Sequence, residues 1–296
     1  IAATTSKDDG SFSFVKVPYG TWIIREIESP KGYVLSEEEI AVTIGKVDEV
    51  VEIELVNYFI KGNIALTKVD EDYPDNKLSG AVFEVYSDTN GNGKLDKDDT
   101  LLGEMKELDG GVYQMSELRY GKYLVKETKA PTGFVLDEDV YAVSIEENGK
   151  TYTVENKAGV GFINAAQKGS LKIVKTSSDG KVEGFSFRVT GVDYDQTFKT
   201  DKNGEIVIEG LRIGDYTVSE VSDKASAGYI LPADKQATVK VNATAIVQMH
   251  NEFRDTPKTG DDFNLGLWVS LAALSVVGAG VLGFVGYKNR KKKKED

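Results

Sequence analysis

Cysteine is absent from the 296 residues, and histidine occurs once, at His250. Without thiols there are no disulfides and no thiolate metal sites, so any covalent reinforcement has to use other chemistry. Positive charge is also short, with 36 Lys and Arg against 48 Asp and Glu for a net charge of −12. Residues 260–296 carry a local basic excess, and the remainder sums to −14. Nucleic-acid binding draws on Lys and Arg to neutralise phosphates, so this balance argues against it. Helical periodicity is almost missing. So is a basic, apolar leader: the chain opens "IAATTSKDDG", which reads as a cut.

What is present is repetition. "GSFSFVKVPYGTWIIRE" (10–26), "GVYQMSELRYGKYLVKE" (111–127) and "GEIVIEGLRIGDYTVSE" (204–220) align without gaps, each with a glycine at its start and another six residues before the closing glutamate. Alternating apolar residues around glycines predict a hairpin, used three times. "SPKGYVL", "APTGFVL" and "ASAGYIL" continue the likeness, the third after two extra residues. Each copy then closes with an alternating strand ending in asparagine: "VEIELVN" at Asn57, "GVGFIN" at Asn164 and "AIVQMHN" at Asn251. "KGNIALTK" (61–68) and "KGSLKIVK" (168–175) open the second and third copies, their final lysines at equal intervals from Asn57 and Asn164. Counting back by the third copy's spacing puts the first copy's lysine about 19 positions before residue 1, so that copy is expected to lack its opening strand. Short strands at regular spacing predict tandem all-β, Ig-like sandwiches. The expected divisions are 1–60, 61–167, 168–253, a linker at 254–264, an apolar span at 265–287 and a basic tail at 288–296.

Period-two parity raises a problem of polar residues on apolar faces. Lys68 continues the face of Ile64 and Leu66, and Lys175 that of Leu171 and Ile173. Glu26, Glu127 and Glu220 follow Trp22/Ile24, Tyr123/Val125 and Tyr216/Val218; Asn57, Asn164 and Asn251 follow Ile53/Leu55, Val160/Phe162 and Val247/Met249. A single such residue is ordinarily a wet strand end. Recurrence of the same three types points to burial, and buried charges have to meet one another. A buried Lys/Glu ion pair with an Asn hydrogen bond is one solution. The other is chemical: burial favours a free amine and a protonated acid, the amine attacks the Asn carboxamide, and the acid polarises it and shuttles protons until ammonia leaves.

The pattern of a Lys strand, Y-x-V-x-E, P-x-G-[FY]-x-L and a terminal Asn resembles the Cna B-type (SpaA-type, prealbumin-like) domains of Gram-positive adhesins and pilins. That resemblance implies intramolecular Lys–Asn isopeptide bonds assisted by a Glu. It assigns Lys68, Glu127 and Asn164 to one bond and Lys175, Glu220 and Asn251 to another, leaving Glu26 and Asn57 without their lysine. Asn156, in "TYTVEN", is an alternative to Asn164 that breaks the interval.

"TPKTG" (Thr256, Pro257, Lys258, Thr259, Gly260) resembles the LPXTG sorting signal of wall-anchored proteins, which implies sortase cleavage between Thr259 and Gly260 and transfer to a peptidoglycan or pilin amine. An uncharged run from Leu265 to Tyr287 follows, about 35 Å long as a helix and so enough to cross a bilayer. The basic residues behind it orient that end to the cytoplasm, making the membrane a transient hold before cell-wall anchoring.

"DTNGNGKLDKDD" (88–99) matches a Ca²⁺ loop through Asp88, Asn90, Asn92, the Lys94 carbonyl, Asp96 and Asp99; the competing reading is an Asn/Gly-rich turn inserted in a hairpin. No other cofactor is called for. The leading functional expectation is a non-enzymatic, wall-anchored stalk of an adhesin or pilin, holding an N-terminal head toward a host matrix protein or glycan. The competing class is the stem of a surface glycosidase or protease. Carboxylates such as Asp137 and Asp139 sit in polar stretches without a matching base or nucleophile, and His250 has the parity of an exposed residue.

Overall fold

A computed structural model of the chain describes residues 1–254. The TPKTG stretch, the apolar run 265–287 and the tail 288–296 lie outside them. Among the described residues no helix is long and apolar enough to cross a membrane, and every element is a strand.

The first segment holds β1 (Gly20–Arg25) and β2 (Glu39–Ile44), one antiparallel pair. The second holds β3 (Lys61–Asp70), β4 (Val82–Ser87), β5 (Thr100–Glu104), β6 (Lys106–Asp109), β7 (Val112–Arg119), β8 (Gly121–Lys129), β9 (Val140–Ile145), β10 (Thr151–Thr153) and β11 (Phe162–Asn164). They form two sheets, β10-β3-β7-β6 with β11 also on β3, and β5-β4-β8-β9. In the third segment are β12 (Lys168–Ser177), β13 (Ser186–Gly191), β14 (Tyr194–Lys199), β15 (Glu205–Arg212), β16 (Gly214–Val221), β17 (Tyr229–Ile230), β18 (Lys235–Val239) and β19 (Thr244–Phe253). Their sheets are β15-β12-β19-β17 and β14-β13-β16-β18.

Alternation builds each core. Ile64 and Leu66 of β3 meet Phe83 and Val85 of the opposite sheet, with Tyr113, Val125 and Phe162 closing the cluster. Leu171 and Ile173 of β12 meet Phe187, Val189 and Val218 in the same way. Removing such side chains from water is the main term holding a two-layer sandwich together.

Two expectations are corrected. The Gly-marked repeat is not a hairpin: β7 and β8, like β15 and β16, lie in opposite sheets. Each of these strands has an apolar face that packs on the shared core, so the chain turns a corner between layers instead of folding back in one. Tyr123 Oη donates to the Arg119 carbonyl at 2.6 Å and Tyr216 Oη to the Arg212 carbonyl at 2.9 Å, which pins both corners. The recurring first glycines, Gly10, Gly111 and Gly204, have φ of 80°, 82° and 77°, a left-handed conformation that explains their recurrence. The second correction is that "VEIELVN" forms no strand. In the later segments the Asn strand is hydrogen-bonded to the Lys strand, and residues 1–19 supply no such partner.

Both junctions repeat one backbone pattern. Ile60 N–H donates to Gly32 O and Tyr120 N–H to Ile60 O; Gln167 N–H donates to Gly133 O and Ile213 N–H to Gln167 O. An arginine from the corner of the following segment reaches back each time. Arg119 lies 3.9 Å from the Phe59 ring centroid, while Arg212 grips Asp70 at 2.6 and 2.8 Å and Asp72 at 3.0 Å. Burial alone would raise Asp70, but the Arg212 hydrogen bonds and charge hold its carboxyl below the usual range.

Candidate functional site

Strand register brings the recurring polar residues together. β11 runs parallel to β3 with Phe162 opposite Lys68, so Asn164 falls one step further along the same face. β19 runs parallel to β12 with Met249 opposite Lys175, which places Asn251 in the same relation. Glu127 and Glu220 arrive from the opposing sheets, opposite Phe83 of β4 and Phe187 of β13. Each trio therefore joins two adjacent strands of one layer to one strand of the other.

All of these groups in the second segment are dry: Lys68 and Glu127 are 0% exposed and Asn164 3%. Lys68 Nζ stands 3.9 Å from Glu127 Oε1, donates to the Phe162 carbonyl at 3.0 Å and lies 5.0 Å from the Phe162 ring centroid. Asn164 Nδ2 donates to Glu127 Oε2 at 2.9 Å and to the Val135 carbonyl at 2.7 Å. Asp137 N–H donates to the same Glu127 Oε2 at 2.8 Å. In the third segment Asn251 Nδ2 donates to Glu220 Oε1 at 2.7 Å, and Lys175 Nζ, bonded to the Thr176 carbonyl, lies 4.2 Å from the Phe185 ring centroid. The first segment holds the matching pair, with Asn57 Nδ2 donating to Glu26 Oε2 at 2.7 Å and Ser36 N–H to the same oxygen at 2.8 Å.

Electrostatics follow from burial. Desolvation lowers Lys68 to about 8, against the opposing pull of Glu127, Asp137 and Asp70, and it raises Glu127 despite the Asp137 N–H, Asn164 and Lys68. Lys175 is lowered by desolvation against Glu220 and Asp179; Glu220 is raised by desolvation, with Asn251 and Lys175 opposing and Asp223 adding to the rise. Both pairs lean toward free amine and neutral acid.

Hydrogen bonding points the same way. Among the described residues, the buried side-chain nitrogens and oxygens without a partner are Glu127 Oε1, Asn164 Oδ1, Glu220 Oε2 and Asn251 Oδ1. All four are acceptors, one from each Glu and one from each Asn. An ionised Glu can only accept, whereas a protonated Glu has a hydrogen to donate.

Asn156 is occupied elsewhere. Its amide donates to Asp137 Oδ2 and the Ile163 carbonyl and accepts from Ile163 N–H, so it positions β11 and is not paired with Glu127. His250 is exposed, as its parity required, against Thr176 and Glu252. Sequence reasoning missed the backbone donors at Ser36 and Asp137; their common offset, four residues after Gly32 and Gly133, was the available signal.

The 88–99 loop folds on its own polar groups. Asp88 accepts from the Asn92 and Gly93 N–H groups, Asp99 from Thr89 and Asp96, and Asp96 from Asp98 N–H and the Asn90 and Asn92 amides. Asn92 Oδ1 accepts from Lys94 N–H. Among the described residues no group of three or more His, Asp or Glu side chains is disposed to hold a metal ion.

The SpaA prealbumin-like fold domain matches the chain three times, over residues 1–58, 62–158 and 169–253. The chain belongs to the SpaA family of prealbumin-like fold domains. These SpaA modules are similar in structure to the Bacillus anthracis TIE protein, with 27% identity and a TM-score of 0.64 over 84% of this chain and 44% of that one. The chain thus spans less than half of that relative's length. GBS52, the minor pilin of Streptococcus agalactiae, is similar at 17% identity and TM-score 0.30, over 68% of this chain and 100% of that one. The shaft pilin SpaA of Lactobacillus rhamnosus GG is similar at 14% identity and TM-score 0.30, over 67% and 99%. No curated protein matches the chain.

Proposed function

We propose that this chain is the stalk of a Gram-positive surface adhesin or pilin, and that its two complete SpaA modules each seal themselves with one isopeptide bond. In the second module neutral Lys68 Nζ attacks the Asn164 side-chain carbonyl carbon. Protonated Glu127 hydrogen-bonds the amide oxygen and relays the proton lost by the attacking amine to the departing nitrogen. A C–N bond forms, a C–N bond breaks, and one ammonia leaves. Lys175, Glu220 and Asn251 perform the same step in the third module. Each module acts once on itself, so no turnover and no substrate pocket are required.

The observation that carries this reading is the set of four orphaned acceptors, all within the two Glu/Asn pairs beside a buried lysine. Anchoring rests on the tail: a sortase cuts after Thr259 and passes its carboxyl to a peptidoglycan or pilin amine, with the 265–287 run holding the precursor in the membrane. Intact mass of the full chain tests the central step. A deficit of about 34 Da, two ammonia losses, is expected. The full calculated mass would reduce both trios to buried ion pairs.

A further inference from the structure

The third module differs from the other two at one backbone position. In the first, Ser36 N–H donates to Glu26 Oε2, and in the second Asp137 N–H donates to Glu127 Oε2, both at 2.8 Å. Tyr33 pairs with Phe59, Phe134 with Ala166 and Tyr229 with Phe253, in each case the residue two beyond the site asparagine. This common register makes Ser36, Asp137 and Pro232 equivalent, three residues after the paired aromatic. A proline has no N–H to give. Glu127 Oε2 takes the Asn164 amide and the Asp137 N–H together, whereas its counterpart Glu220 Oε1 takes the Asn251 amide without a backbone N–H; in both modules the other carboxyl oxygen is buried and without a partner.

Resting on the cross-linking reading above, we propose that Pro232 is a positioning residue that holds Glu220 in its neutral, proton-donating form by withholding the backbone hydrogen bond that favours the Glu127 carboxylate in the second module. The groups that face Glu220 are few. Lys175 on β12 favours ionisation, Asn251 on β19 donates to Oε1, Asp223 just beyond β16 opposes ionisation, and Asp179 acts through Lys175. A backbone N–H stabilises a carboxylate and not a carboxylic acid, so its loss shifts the balance toward the acid. The third module then keeps its proton donor to higher pH than it would with an N–H at position 232. Cross-linking in the third module should therefore lose efficiency at lower pH once that N–H is restored.

The test separates this idea from the cross-linking itself. In the full chain carrying Lys175→Met no third-module bond forms, and Glu220 remains as a free carboxyl. Its titration is followed by carboxyl ¹³C NMR and assigned by the signal lost in Glu220→Gln. Adding Pro232→Ala restores the N–H and should move the Glu220 midpoint down by about one pH unit. An unchanged midpoint overturns the proposal. The reciprocal comparison protects against a misfolded variant: in a Lys68→Met chain, Asp137→Pro should raise the Glu127 midpoint above that of Asp137→Asn, which keeps the N–H. Equal midpoints would again overturn it. With both lysines intact, cell-free synthesis of the full chain from pH 6 to 9 should show third-module ammonia loss persisting to higher pH than in Pro232→Ala. No ammonia loss at any pH would sink the cross-linking reading, and the two titrations would still decide the role of Pro232.

Discussion

The second and third modules place the same three side chains on the same three strands, yet surround them differently. In the second, Asn164 is held by two acceptors, and Glu127 Oε2 receives a backbone N–H as well as the Asn amide. In the third, Asn251 donates to Glu220 alone and proline replaces the backbone donor. What is common is sheet register, and what varies is the loop carrying residues 133–137 or 228–232. Strand pairing therefore sets who meets whom, and the loop adjusts how firmly the acid is held.

The hardest way to break the equivalence is to remove one amine. Lys68→Ala should return about 17 Da to the mass and open a loop of about 97 residues, costing the second module roughly 4 to 5 kcal/mol in the chain-entropy account. Limited proteolysis should then cut the second module while sparing the third. Lys175→Ala should reverse the pattern; equal sensitivity of both modules in either variant would contradict independent sealing.

A smaller effect is expected at the junction. Arg212→Ala strips buried Asp70 of its partner and should cost about 2 kcal/mol, separating the melting of the two modules in calorimetry. Arg119→Ala removes only a stacking contact with Phe59, about 1 kcal/mol. Melting that remains a single coupled transition in Arg212→Ala would show that the backbone bonds at the junction suffice.

The pH dependence of an unreacted module sharpens the comparison further. In Asn164→Ala no bond forms, and Lys68 is held at about 8 in the folded state against 10.5. The unfolded chain binds more protons between those values, so the lysine contribution to stability should rise with pH from about 8 to 10.5. Glu127 shifts the opposite way: its folded form keeps a proton above the ordinary value of 4.5, so its contribution should fall as pH climbs through its raised folded pKa. Urea unfolding of the second module across pH would detect both slopes, and a flat profile would mean neither group is neutral when folded. Least of all should calcium matter. The 88–99 carboxylates already accept backbone N–H groups, so melting in EDTA and in Ca²⁺ should coincide; a calcium-dependent rise would hand those oxygens to the metal.

Much of this site was legible because side-chain parity in a strand is a strict period of two. Lys68, Glu127 and Asn164 could be placed on inward faces from "NIALTK", "YLVKE" and "GFIN" alone, and their burial agrees. Parity does not say which layer a strand joins. That is why the β7–β8 and β15–β16 corners looked like hairpins, and why Glu could not be seen to approach from the facing sheet. The Arg212–Asp70 clamp was hidden because it spans 142 residues and follows no local pattern. Pro232 was visible as a letter, but its meaning needed the Tyr229–Phe253 register.

The parallel pairing of β3 with β11 has a mechanical corollary. Given the proposed Lys68–Asn164 bond, tension entering at Lys61 would travel along β3 to Lys68, cross to Asn164 and leave toward β12, bypassing everything between. Those roughly 95 intervening residues would otherwise yield about 300 Å of contour length when drawn out. A module sealed by that bond would transmit load without lengthening, and its core would not have to resist being unravelled.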